Sequence, residues 1–276
     1  NIILDPIFIF VLHMGVRGAA VATVISQALS AVWTVGFLIS KKSSLGIKVK
    51  AMKPDFSIIG SVMALGISPF IMRATESLIS IVLNSGLQRY GGDVYVGSLT
   101  IMQSVMQMYS APLGGFTQGV QPIISYNFGA GNFERVKKLY RCMITTCFLF
   151  AASATLLVIT FPAFFAGMFT NDGELIALVE KMMPIFMCGM LVFGIQQGIQ
   201  PTFLALGQAK LSLFIAIFRK VLLLVPLALV LPIKYGVMGI YYAEPISDIL
   251  SATVATILFL TNIKKIVSKE TLQNIV

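Results

Sequence analysis

The feature that most constrains this chain is a series of apolar runs too long for the core of a water-soluble domain. Segments 18–39, 56–87, 94–124, 139–169, 175–206, 211–233 and 237–260 are predominantly hydrophobic. Each reaches the length of about 20 residues that an α-helix needs to cross a bilayer. A shorter run, 2–12, reads as the last part of a helix that begins upstream. The runs are continuously apolar and do not alternate every second residue, which speaks against a β-barrel and for helices. Composition agrees: only 11% of residues are charged, against about 25% in soluble domains. A soluble enzyme, a disordered chain and a secreted disulfide scaffold are excluded.

The expected fold class is therefore all-α, a polytopic transmembrane helix bundle. Prolines interrupt many runs, among them Pro69, Pro112, Pro122, Pro162, Pro184, Pro201, Pro226 and Pro245. Within a bilayer such breaks are tolerated where neighbouring helices or a wet cavity satisfy the freed backbone groups. The net charge of +9 does not indicate nucleic acid, because the basic residues sit in short connections. One alternate set of loops holds Lys41, Lys42, Lys48, Lys50, Lys53, Arg135, Lys137, Lys138, Lys210, Lys264, Lys265 and Lys269. The opposite set holds Arg17, Arg89 and Lys234, a bias of roughly four to one. By the positive-inside rule the first set, with the C-terminus, is cytoplasmic.

The polar, lysine-rich stretch 41–55 is the best boundary, with two apolar segments before it and six after. An internal similarity supports that division. Gly15-Val16-Arg17-Gly18 through Ile25-Ser26-Gln27 resembles Gly236-Val237-Met238-Gly239 through Ile246-Ser247-Asp248, with about half the positions identical. Both copies run inward from an outside loop, so the repeat is parallel, related by an axis along the membrane normal. If the second segment corresponds to the eighth, the chain holds the last two helices of one six-helix unit and all six of another. Residues 1–40 would then close an N-terminal lobe, 41–55 would link the lobes, 56–262 would form the C-terminal lobe and 263–276 a cytoplasmic tail. The opening at Asn1 in place of a methionine reads the same way, as a fragment whose earlier helices lie upstream.

Ionisable groups at membrane depth are unfavourable, about 2.5–3.5 kcal/mol each on insertion scales, and so mark functional positions. Asp5 stands four residues from Asn1, on one helix face. Arg73 and Glu76 are three apart and able to pair. Glu244 and Asp248 share a face of the last segment, where they could instead bond backbone groups freed by Pro245. Arg219 and Lys220 read as residues snorkelling to the cytoplasmic interface. Glu76 is the leading candidate, since a carboxylate in a low-dielectric cavity can trade a proton for Na⁺ or a cationic molecule. Met102, Met106 and Tyr109 offer a flexible apolar cavity wall, with packing as the plainer reading. Three cysteines and one histidine cannot build a usual metal centre, and no catalytic motif is present. An enzyme, a metal and a cofactor are not expected.

Specific residues then suggest a family. The stretch Gln121-Pro122-Ile123-Ile124-Ser125-Tyr126-Asn127-Phe128-Gly129-Ala130-Gly131-Asn132, followed by Arg135-Val136-Lys137-Lys138, resembles the loop after the eighth helix of MATE (multidrug and toxic compound extrusion) transporters. Asn1-Ile2-Ile3-Leu4-Asp5-Pro6 with Gly18-Ala19-Ala20-Val21-Ala22-Thr23 resembles that family's fifth and sixth helices. Phe203-Leu204-Ala205-Leu206-Gly207-Gln208-Ala209-Lys210 and Pro245-Ile246-Ser247-Asp248 are similar to its tenth and twelfth.

The resemblance implies two six-helix lobes around a central cavity and multidrug efflux of lipophilic, often cationic compounds by H⁺- or Na⁺-coupled antiport. It implies a cation-coupling set of Asn1, Asp5, Thr23 and Glu76; from the reading of the residues themselves, Arg73, Glu244 and Asp248 are secondary candidates and Met102, Met106 and Tyr109 candidates for the substrate cavity. Gln208 stands where some branches carry an aspartate, which speaks against that particular site. The implied partners are small-molecule drugs and the lipid bilayer, with no nucleic acid, and a monomer is expected in the bacterial inner (plasma) membrane. A lipid-linked oligosaccharide flippase of the same superfamily is the alternative. It would need a more cationic cavity.

Overall fold

The computed structural model describes residues 1–40 and 56–267; the stretch expected as a linker, 41–55, and most of the expected tail, 263–276, lie outside the described residues. The chain divides into two compact units, Asn1–Met63 and Ala64–Val276. In the first, a short helix α1 (Leu4–Pro6) runs into a π-helical segment, Ile7–Val11, and a turn leads to α2 (Gly15–Ile39). Gly18 lets α2 lie directly on the π segment. A Cβ at that position would stand 2.8 Å from the carbonyl oxygen of Phe8, closer than any side chain tolerates.

The second unit contains most of α3 (Phe56–Gly91), then α4 (Asp93–Gly129), α5 (Phe133–Thr160), α6 (Pro162–Gly167), α7 (Gly173–Met187) and α8 (Met190–Ala205). It ends with α9 (Ala209–Ile217), a π-helical segment Phe218–Leu224, α10 (Val225–Tyr235) and α11 (Val237–Ile266). At the centre is α8, which packs on α5, α11, α4 and α9. Its contact with α5 is made by Gly194 and Gly198, one turn apart. A Cβ on Gly198 would lie 2.7 Å from Ile144 Cα, and one on Gly194 would meet Ala151 and the carbonyl of Cys147. Small residues at this spacing allow helix backbones in lipid to approach closely and gain dispersion contacts.

Several helices are subdivided where one run is predicted. The 139–169 run breaks at Phe161, because Pro162 has no N–H to continue α5 and instead opens α6 at its first position. The 175–206 run bends by 51° between α7 and α8. At that bend Gly189 admits α11, whose Pro245 Cα would be 2.6 Å from a Cβ there. Conversely, most of the stretch predicted as a loop at 121–132 is helical. Pro122 lies inside α4, and the turn is confined to the residues around Gly131, whose φ is +72°.

Among the described residues four helices are long and apolar enough to cross a membrane: Gly15–Ile39, Phe133–Thr160, Ala209–Tyr235 and Val237–Ile266. The bent pair α7 and α8 is a fifth if taken as one span. Helices α3 and α4 are longer, at 36 and 37 residues, and α4 carries more polar side chains than the expectation of a uniformly apolar span allows. Several polar side chains of both helices, such as Ser80, Gln103 and Gln107, face a cavity. Large apolar residues elsewhere are bare, such as Leu149, Phe164 and Leu260. Exposed apolar surface on this scale belongs against lipid.

The α5–α8 contact yields a stability prediction. Gly198→Leu should lower the thermal midpoint of the detergent-purified complete protein, with overpacking of about 1–3 kcal/mol or more. Gly115→Ala, at a position with nothing within 4 Å, should leave the midpoint unchanged or slightly raised.

Candidate functional site

The π segment Phe218–Leu224 brings the site together. Pro226, in the first turn of α10, has no N–H for the helical ladder and its ring crowds the preceding turn. The chain relaxes by widening: the N–H of Val225 bonds to the carbonyl of Lys220, five residues back. Such π insertions within α-helices frequently accompany functional sites. Here the widened turn carries Arg219 and Lys220, which commit to different helices.

Arg219 is buried, and its guanidinium is shared between two carboxylates of α11. Nε donates to Asp248 Oδ1 at 2.6 Å, and Nη2 donates to Glu244 Oε1 at 2.9 Å. Its outer face lies 4.1 Å from the ring centroid of Phe193 on α8, a cation–π contact. The spacing of four residues between Glu244 and Asp248 puts both acids on one face of α11, and Gly189 lets that face approach. Asp248 has no solvent exposure. Its Oδ2 is buried with no hydrogen-bond partner. Lys220 instead reaches α3, where Nζ donates to Glu76 Oε1 at 2.8 Å.

These groups border a cavity of about 800 Å³ lined by residues of the second unit. Glu76, Lys220, Arg219 and Glu244 lie on its wall. Five glutamines complete a polar lining: Gln103 and Gln107, one turn apart on α4, and Gln196, Gln197 and Gln200 on α8. Gln196 is itself anchored by a hydrogen bond from Ser251 of α11. Met106, Phe186 and Phe193 supply apolar wall. The arrangement can solvate a polar molecule through amides, hold apolar groups against rings, and exchange charge at two ion-paired carboxylates.

The placement of the sequence candidates differs from expectation in several ways. Arg219 and Lys220 do not snorkel; low dielectric and three nearby acids make ion pairing the better outcome for both. Glu244 and Asp248 bond to Arg219 and are not used to cap backbone groups freed by Pro245. Glu76 pairs with Lys220, and the side chain of Arg73 lies outside the described residues. Of the proposed cavity wall, Met106 is in place, whereas Met102 and Tyr109 are buried in the core. Met182, Met183 and Met187 are core residues as well.

In the first unit Asn1 is exposed, and Thr23 donates to the carbonyl of Ala19 at 2.9 Å. Asp5 Oδ1 is buried without a hydrogen-bond partner among the described residues. No group of metal-binding residues occurs among the described residues. The members that sequence reading missed were Arg219 and Lys220. The available signal was their depth, well inside the 211–233 run.

Comparison with known proteins places this geometry in context. The sequence pattern of the MatE family matches residues 69–230. The chain is 26% identical over 258 residues to the multidrug export protein MepA of Staphylococcus aureus (strain MSSA476), covering 94% of this chain and 56% of that protein. It is 28% identical over 255 residues to MepA of Staphylococcus haemolyticus (strain JCSC1435), covering 92% and 56%. The chain thus spans about half the length of the curated relatives it matches. In fold it is similar to a solved outward-facing multidrug resistance MATE family transporter of the MOP superfamily. That match has a TM-score of 0.86 at 21% identity, covering 96% of this chain and 60% of the other.

The shared guanidinium sets an order of stabilities. Arg219→Met should destabilise the complete protein by about 3–5 kcal/mol, because two buried carboxylates lose the cation that hydrogen-bonds both of them. Glu244→Gln keeps an acceptor for Nη2 and should have an effect of about 1 kcal/mol. Thermal unfolding of the purified variants in one detergent checks the order.

Proposed function

Since the chain belongs to the MatE family of membrane transporters, we propose that the complete protein exports lipophilic, often cationic drugs in exchange for H⁺ or Na⁺. The observation that carries this reading is the cavity itself: about 800 Å³, lined by amides, aromatic rings and the carboxylates Glu76 and Glu244. Residues 1–40 are the end of an N-terminal lobe, 41–55 the inter-lobe linker, 56–262 the C-terminal lobe and 263–276 a cytoplasmic tail. The protein works as a multi-pass monomer in the bacterial inner membrane. Asn1, Asp5 and Thr23 form one cation-coupling group and Glu76 another. At Glu76, Lys220 occupies the carboxylate until a mobile cation replaces it. Ion binding shifts the outward–inward equilibrium only by its difference in affinity between the two states.

The flippase alternative gains cations from Arg219 and Lys220. Both are already committed to carboxylates, so among the described residues that line the cavity a diphosphate would find no spare positive charge.

In cells expressing the complete protein, Asp5→Asn should abolish drug resistance at unchanged expression; normal resistance would remove Asp5 from the mechanism. Purified protein should bind a cationic dye, with affinity falling at least about tenfold, or ~1.4 kcal/mol, on adding Na⁺ or acid. Dye binding indifferent to both would count against antiport.

A further inference from the structure

The Arg219 triad holds a charge imbalance that the exporter reading does not use. Two carboxylates, Glu244 and Asp248, share one guanidinium. Arg219 satisfies one oxygen of each acid, and the second oxygen of Asp248 is buried and unpartnered. A lone negative charge in such surroundings is strongly disfavoured. A metal ion needs six or so oxygens around it, whereas Oδ2 is buried with no hydrogen-bond partner. A proton needs no such shell. Glu244 lies on the cavity wall whereas Asp248 lies behind it, so the two acids form a short path inward from the cavity.

We propose that the Arg219–Glu244–Asp248 triad is a proton-binding station in which Asp248 Oδ2 carries one exchangeable proton and Glu244 passes it to and from the cavity. On loading, an O–H bond of a cavity hydronium breaks at Glu244 and leaves water. The proton then forms an O–H bond at Asp248 Oδ2, and Glu244 returns to its carboxylate. No other bond changes. The loaded triad is neutral. Unloaded, it places one uncompensated negative charge beside the cavity, which attracts a cationic molecule. Proton and cationic cargo therefore oppose each other, reciprocally and by the same factor.

The groups facing Asp248 fit this role. On the π segment they are Arg219 and Lys220, the latter held by Glu76 of α3. Cys188 at the α7–α8 bend and Tyr109 of α4 lie within electrostatic reach. Tyr109 is itself buried. From α11 itself the group is Glu244. The charged residue of α10, Lys234, stands in its last turn.

This proposal rests on the exporter reading and is tested on the complete protein, purified in detergent and weakly buffered with a pH-indicator dye. Ethidium serves as the cationic probe. Saturating wild type with ethidium should release protons. Asp248→Asn should release one fewer per transporter, and the slope of log Kd against pH should fall by one. Asp5→Asn and Glu76→Gln should leave that particular proton in place. An Asp248→Asn variant that binds ethidium with the wild-type proton count and slope overturns the station and leaves the exporter reading standing. A wild type that does not bind ethidium overturns both.

Infrared difference spectra provide a measurement that needs no Asp248 variant. In the Asp5→Asn, Glu76→Gln background, ethidium should abolish a protonated-carboxyl C=O band, and Glu244→Gln should slow the loss of that band. Absence of any such band overturns the proposal.

Discussion

One guanidinium between two carboxylates holds the charged part of this molecule together. Arg219 comes from a widened turn of one helix, and its partners come from a single face of the next. In water such a cluster contributes little. Surrounded by apolar helices it dictates geometry, because each charge is acceptable only while its partners stay within hydrogen-bond distance. The π segment, the α7–α8 bend and Gly189 all serve that geometry. The first aims Arg219 and Lys220, and the other two make room for the acid face of α11. The cavity wall follows from the same arrangement, since the outer atoms of the cluster are also its charged lining.

Much of this was legible in the sequence, and the rest was hidden for identifiable reasons. The apolar runs located nearly every helix, because a bilayer demands lengths that no soluble core reproduces. Proline positions marked irregularities but not their kind: Pro162 starts a helix, Pro226 drives a π turn and Pro122 is absorbed within α4. Glu76, Glu244 and Asp248 stood out as acids in apolar surroundings. Their partners did not, because Arg219 and Lys220 could be read as snorkelling residues and the pairing spans 25 to 144 positions in sequence. The pattern Gly194-x-x-x-Gly198 was a readable sign of close helix packing that went unused. Met102 and Tyr109 show the opposite error, in which side-chain type suggested a cavity wall and the helix face put them in the core.

The internal similarity has a structural counterpart that does not depend on how the two units are arranged. Gly15 and Gly236 open their helices with φ of +54° and +56°, values that only glycine adopts readily. Three residues on, Gly18 and Gly239 each press against the backbone of the preceding helix. The turn chemistry and the close approach have been kept together in both copies, while the polar cargo of the helices has diverged: Thr23 stands in one where Glu244 stands in the other.

Helix α8 presents two surfaces with opposite freedoms. The side bearing Gly194 and Gly198 meets α5 backbone to backbone and admits no larger residue. The side bearing Gln197 and Gln200 opens on empty space. Mutation can therefore rewrite the cavity lining one amide at a time while the fit to α5 is held constant, so natural variation in such a protein would accumulate on one half of a single helix and spare the other.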